Sequence, residues 1–169
     1  AFHMDEYIGV LPDAPQSFGN FLRIRIFDKV PFKNVYYLNG HATDLEEECT
    51  RYTSLLSQFP TDIVCLGIGE NGHIAFNDPD VANFNDHKLV KIVKLDHVCR
   101  QQQVNEKCFE TLEQVPTEAL TLTIPALLKA KWMFCIVPFK NKAQAVYRTI
   151  HGDISEKCPA SILRRKEKS

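Results

Sequence analysis

Residues 63–79 read IVCLGIGENGHIAFNDP. Ile63–Leu66 is a short apolar run with no polar alternation, too short for a helix and suited to a strand buried on both faces. It runs straight into Gly67, Gly69 and Gly72, which allow positive φ and a close backbone approach because no Cβ intervenes. A strand ending in such a turn is where open α/β sheets place their ligands, beyond the carboxyl ends of the strands. Gly69 and Gly72 are therefore candidate contacts for a small polar substrate held by backbone. His73 can give or take a proton near neutral pH, and Asp78, five residues on, can fix its tautomer and support its charged form. The competing explanation is a tight turn in which His73 and Asp78 only cap backbone groups, since a glycine pattern alone is weak.

The flanking sequence alternates strand-like and helix-like patterns. Before the motif come a strand at 2–8, a helix at 17–30 capped by Ser17, a short strand at 35–38, and a helix after Asp44 with Leu45, Cys49, Tyr52, Leu55, Leu56 and Phe59 on one face. After it come a strand at 89–95, a polar helix at 97–109, a strand at 120–123, a short helix at 125–130, a strand at 132–137 and a helix at 141–150. Strands separated by helices imply a three-layer α/β domain, a Rossmann-like, mostly parallel sheet with helices on both faces. No repeat, low-complexity tract or linker interrupts it, so residues 1–169 read as one domain.

Composition narrows the class. The 169 residues are 44% hydrophobic, and 20 basic against 21 acidic side chains leave nothing to attract nucleic acid or an acidic membrane surface. No signal peptide or run of spanning length is present. Six scattered cysteines show neither C-x-x-C nor zinc-ligand spacing; most lie in apolar runs such as DIVCLGIG and WMFCIVP, where a reduced thiol packs as a small hydrophobe, so a reducing cytoplasm is expected. The opening AFHMDEYIG reads as a strand already under way and RRKEKS follows a helical pattern, so both ends are expected to continue in a longer protein.

Two further stretches carry chemistry. In MDEY, Met4–Tyr7, Asp5 and Glu6 close an apolar strand, where acidic residues are depleted unless the strand ends. A carboxylate there could abstract a proton, although a solvated turn is the commoner outcome. In FKNKAQAV, Phe139–Val146, the backbone N–H groups of a helix start, with Lys140 or Lys142, suit a phosphate.

FHMDEYIG, LGIGENGHIAFNDP, LDHVCRQQQVN, TLTIPALLKA and VPFKNKAQAV together resemble the glucosamine-6-phosphate deaminase/isomerase family, in its order and spacing and over essentially the whole chain. The resemblance implies conversion of an amino-sugar phosphate, glucosamine 6-phosphate first among them, to fructose 6-phosphate and ammonia by ring opening, aldose–ketose isomerisation and loss of the amine. It implies Asp5 as the base at C2, His73 as the ring-opening acid–base group partnered by Asp78, and Lys142 on the phosphate. Glu6, Gly69, Gly72, Arg100 and Gln103 complete the implied substrate contacts. No metal or redox cofactor is required, and a homo-oligomer is the implied assembly.

The chain departs from the family pattern at three places. Asn71 stands where a carboxylate is usual two residues before the histidine, Asp78 shortens a glutamate, and Gln103 replaces an arginine expected on the phosphate. Arg100, one turn away on the same helix, is the candidate replacement. The glycine/serine-rich phosphate loop that precedes MDEY in the family, and a C-terminal strand, are missing from the chain. A different amino-sugar phosphate isomerase, a 6-phosphogluconolactonase-like hydrolase and a non-catalytic sugar-phosphate-binding regulator are the alternatives; MDEY speaks against the lactonase, which has no carbon acid to ionise.

Overall fold

In the computed structural model, which describes residues 1–165, the elements are β1 (Asp5–Tyr7), α1 (Phe18–Leu22), α2 (Leu45–Gln58), β2 (Ile63–Leu66), β3 (Val90–Lys94), α3 (His97–Asn105), β4 (Glu118–Leu122), α4 (Ile124–Leu128), β5 (Trp132–Cys135) and α5 (Ala143–His151). The last four residues of the RRKEKS tail lie outside the described residues. The helix starts follow side-chain capping. Ser17, Asp44, Asp96 and Thr123 each accept from backbone N–H groups in the first turn of α1, α2, α3 and α4. The long helix α2 turns Cys49 and Tyr52 into the core, and the Tyr52 hydroxyl ties the helix to the chain before β1. It accepts the His3 N–H at 3.1 Å and lies 2.8 and 2.9 Å from the carbonyl oxygens of His3 and Tyr36.

The strands form two groups. β2 and β5 pair in parallel, Ile63 to Leu66 against Trp132 to Cys135, which is the parallel pairing that the alternating pattern implies. β1, β4 and β3 pair antiparallel in that order, with Asp5 opposite Thr121 and Thr121 opposite Lys91. The main core lies between these layers and α2, α4 and α5, around Ile74, Val90, Leu120, Ile124 and Leu127. A second cluster around Tyr7, Phe76 and Cys99 sits under α1 and α3.

Several local expectations change. The helix expected at 17–30 stops as an α-helix at Leu22 and continues as a wider π-type turn, Arg23–Phe27, none of whose residues is buried. The strand expected at 35–38 shrinks to one parallel bridge, Tyr36 to Phe2. The helix expected to reach residue 109 ends at Asn105, just before Lys107 takes a positive φ of 61°. Cys65 and Cys135 are exposed: β2 turns Ile63 and Cys65 outward and Val64 and Leu66 inward, while β5 buries none of its four side chains; Ile63 and Phe134 are more than half exposed.

Glu6 is one of the residues the structure reassigns. It is buried, and its carboxylate accepts the N–H groups of Tyr7, Phe18 and Gly19 and the Ser17 hydroxyl, at 2.7–3.1 Å. Burial alone would raise its pKa; His3, whose Nε2 lies 3.6 Å away, and these donors hold the carboxyl below its usual value. Glu6 anchors α1 to β1 and does not reach the substrate space. Glu6→Ala strands the two buried N–H groups of Tyr7 and Gly19 at about 1–3 kcal/mol each, so a loss of at least about 2 kcal/mol in urea unfolding is expected. Because the folded pKa is depressed, the carboxylate's contribution is present above the ordinary value of 4.5 and fades as pH falls through the folded value.

Candidate active site

An open cleft of about 1320 Å³ runs between β1 and β2. Its walls bring together Asp5 from the start of β1, Gly69 and His73 from the loop after β2, Gln102 and Gln103 from α3, Glu106 just beyond it, and Lys142 at the start of α5. Asp5 opens β1 and pairs with Thr121, so the two acidic residues of MDEY lie within the strand and do not close it as expected. Four of the candidate residues are thus assembled as side chains on one cavity: Asp5, His73, Gln103 and Lys142. Asn71 and Asp78 stand behind His73, while Glu6, Gly72 and Arg100 are not on the cleft.

Asp5 is desolvated. Burial, offset only in part by His3 and His73 and reinforced by Glu6, raises its pKa to about 6. A carboxyl so placed ionises near neutrality as a base stronger than an ordinary aspartate, the condition general-base catalysis needs.

The histidine rests on its own loop. The His73 ring lies against Gly69, where any Cβ would overlap it, so this glycine makes room for an imidazole. His73 Nδ1 stands 2.9 Å from Asp78 Oδ1, off the line of a straight hydrogen bond. With Nδ1 turned to the carboxylate, Nε2 is the nitrogen left for proton exchange. Asp78 is fully buried, yet its carboxyl is held below the usual range. Burial opposes ionisation, but His73, the Asn71 amide and the Asp96 N–H outweigh it.

Asn71 explains its own presence. Its Nδ2 donates to Asp78 Oδ1 at 3.0 Å and to Asp96 Oδ2 at 2.7 Å, while its Oδ1 accepts the His73 N–H at 2.9 Å. The Asp96 N–H donates to Asp78 Oδ2 at 3.1 Å, and Asp96 Oδ1 caps α3 on the Cys99 N–H. A carboxylate at position 71 would face two others across hydrogen-bond distances, so the neutral amide is what this arrangement requires. Asn71 positions the pair rather than exchanging a proton.

Asp96 and Cys99 are participants that the sequence reading did not single out. An Asp directly before a helix is a cap signal, which marks Asp96; nothing in the local pattern marks Cys99. The Cys99 thiol lies with His73 and Asp78 in a cluster whose nitrogen, oxygen and sulfur atoms are within 4.8 Å of one another. Burial, then Asp78 and Asp96, push the thiol far up, so it stays protonated and hydrogen-bonds to Asp78. With the thiol neutral and Asp78 already filled with donors, the cluster is suited to holding the carboxylate in place.

Three expected substrate contacts are corrected. Arg100 does not replace the missing arginine: its guanidinium donates to the carbonyl oxygens of Leu112 at 2.6 Å and Val115 at 2.9 Å, tying α3 to the turn that leads into β4. Gly72 has φ +92°, and a Cβ there would sit 2.8 Å from Cys158 Sγ, so it serves the turn and its packing. Glu6 anchors α1, as described above. Lys142 is on the cleft but largely buried, its ammonium 3.0 Å from Glu106 Oε1.

The geometry can be set against known proteins. Residues 2–169 match the sequence family described as glucosamine-6-phosphate isomerases/6-phosphogluconolactonase. Glucosamine-6-phosphate deaminase of Bacillus cereus (strain B4264) is 43% identical over 163 residues, covering 96% of this chain and 60% of that protein; the Bacillus cytotoxicus deaminase is 42% identical over the same span. The chain therefore spans 60% of the length of these relatives. A solved monomeric glucosamine-6-phosphate deaminase superposes with a TM-score of 0.90 at 36% identity, over 99% of this chain and 68% of that one. The 6-phosphogluconolactonase of Trypanosoma brucei superposes with a TM-score of 0.72 at 18% identity, over 99% of this chain and 68% of that one, a likeness of fold alone. With a family match across nearly its whole length, the chain belongs to the glucosamine-6-phosphate isomerase/6-phosphogluconolactonase family.

Proposed function

We propose that the protein carrying this chain converts glucosamine 6-phosphate to fructose 6-phosphate and ammonia. The observation that carries this reading is the placement of Asp5, with its raised pKa, on the same cleft as the His73–Asp78 pair. Isomerisation needs a carboxylate poised over a carbon acid, and ring opening needs a group that protonates the ring oxygen while the anomeric hydroxyl loses its proton. His73 Nε2 performs the second task. Asp5 removes the C2 proton and returns it to C1 through an enolamine, which leaves an imine at C2; water adds to that carbon and the adduct collapses to the ketone as the C–N bond breaks and ammonia leaves. A lactonase would leave Asp5 without a carbon acid, and the deaminases resemble the chain at 42–43% identity against 16–22% for the solved proteins named as lactonases.

Lys142 supplies charge for the phosphate at the start of α5, with Gln103 as a neutral neighbour on the cleft. No helix among the described residues is long and apolar enough to cross a membrane, and all six cysteines are free thiols, which suits the reducing cytoplasm we propose. Assembly is a separate matter: the solved deaminase at 36% identity is described as monomeric, and light scattering decides between that state and the homo-oligomer.

Ammonia release tests the reading. Glucosamine 6-phosphate should yield it and 6-phosphogluconolactone should not be hydrolysed; the reverse would assign the lactonase, and binding of the amino sugar without turnover would assign a regulator. Gly69→Ala is expected to displace the His73 ring and cost about 100-fold in kcat, with KM changed little, because a small misplacement of a reacting group is costly. Steady-state ammonia release at several substrate concentrations separates the two constants.

A further inference from the structure

Glu106 belongs to no catalytic step described above, yet it holds the one lysine assigned to phosphate. Its Oε1 lies 3.0 Å from Lys142 Nζ and accepts the Gln102 Nε2 at 3.0 Å, and Gln102 in turn accepts the Glu70 N–H of the glycine loop. Lys142 has a side chain only 10% exposed, whereas Glu106 is about a third exposed, and both line the cleft. The cation is the enclosed partner of the pair and the carboxylate the one that borders solvent.

Both charges are mismatched to their own helices. Glu106 caps the carboxyl end of α3 and Lys142 the amino end of α5, each placing its charge against the local dipole. An anion that took the place of the Glu106 carboxylate beside Lys142 would sit at the favourable end of α5, and Glu106 would move out toward solvent. The other cations near the cleft do not offer this place. Arg100 is spent on backbone carbonyls, and Lys107 lies past the end of α3 on exposed chain.

We propose that Glu106 is a resident counter-ion that a phosphate monoester must displace from Lys142, so that Glu106 sets the affinity threshold an anion has to exceed to occupy this place. The inference rests on the phosphate role given to Lys142 above. A dianion with three acceptor oxygens competes better for a single ammonium than a chloride or a carboxylate does, and a built-in competitor raises the threshold for all of them.

Titration of inorganic phosphate into the protein at fixed ionic strength, followed by calorimetry, tests the proposal with Glu106→Gln, Glu106→Ala, Lys142→Ala and the Glu106→Gln/Lys142→Ala double variant. Removing a partly exposed competitor should tighten phosphate on the order of fivefold in both Glu106 variants, the glutamine keeping its bond to Gln102. Lys142→Ala should weaken phosphate at least as much, and in the double variant the Glu106 change should have no effect. If Lys142→Ala weakens phosphate while both Glu106 variants bind like the parent or more weakly, Glu106 is a support for Lys142 and the counter-ion proposal is overturned, with the phosphate role of Lys142 intact. If Lys142→Ala binds like the parent, that role falls and the proposal falls with it.

Discussion

Asp5→Asn is expected to lower kcat for ammonia release by 10²–10⁴-fold, the usual worth of a general base, while KM stays within about threefold. In the proposed reaction the carboxylate acts on carbon, so the substrate capture assigned there to Lys142 and the glycine loop does not depend on it. Two further readouts separate a base from a structural aspartate. The acid limb of kcat/KM in the parent should bend near the Asp5 pKa of about 6 and rise with pH, because only the ionised carboxylate abstracts the proton. The second readout is stability. A folded pKa raised to about 6 from the ordinary 3.8 means the charged form is disfavoured in the fold, so the native state is most favoured below the unfolded value and loses ground as pH rises through about 6. The asparagine variant escapes that cost, which is at most about 3 kcal/mol at neutral pH, and should melt higher than the parent. A variant that lost less than about tenfold in kcat, or that melted lower with a proportional loss of activity, would remove Asp5 from the role of base.

His73→Gln should damage turnover of the closed pyranose by a comparable factor and spare the open chain. In the proposed reaction the histidine acts before the carbon acid is ionised, so an open-chain amino-sugar phosphate analogue should bypass it and lose less than about tenfold. Equal loss with both substrates would place His73 in the isomerisation step. The pair with Asp78 makes the order of effects predictable: the imidazole sits on Gly69 and is backed by a carboxylate that Asn71, Asp96 and Cys99 hold in place, so displacing the ring costs more than loosening its support.

The parts of this protein that sequence makes legible are those where chemistry and local geometry coincide. Asp5, His73 and Lys142 come from three distant stretches, and the structure gathers them because each lies at the loop end of an element where an α/β sheet opens. The cap residues Ser17 and Asp44 are readable for the same local reason. What stayed hidden depends on long-range partners. Arg100 shares a helix face with Gln103 by spacing, but two carbonyls of the turn before β4 claim its guanidinium. Glu6 sits beside Asp5 in MDEY, yet strand alternation turns the two side chains to opposite faces and sends Glu6 to the start of α1. Gly69 and Gly72 look alike in the motif; one yields space to His73 and the other to Cys158, residues 4 and 86 positions away. Asn71 reads as a lost acid until Asp96, 25 residues on, is seen beside it, closer than two carboxylates would tolerate.

The claim that a carboxylate on this cleft ionises C2 of an amino-sugar phosphate is tested most directly with C2-deuterated glucosamine 6-phosphate. The protein should release ammonia more slowly from it than from the unlabelled sugar, with fructose 6-phosphate formed in equal amount and the deuterium found at C1 or in water. Asp5→Asn should stop both ammonia release and loss of the label. Ammonia released without an isotope effect by the Asp5→Asn variant at the parent's rate, or a parent protein that leaves the deuterated sugar unchanged, would contradict it.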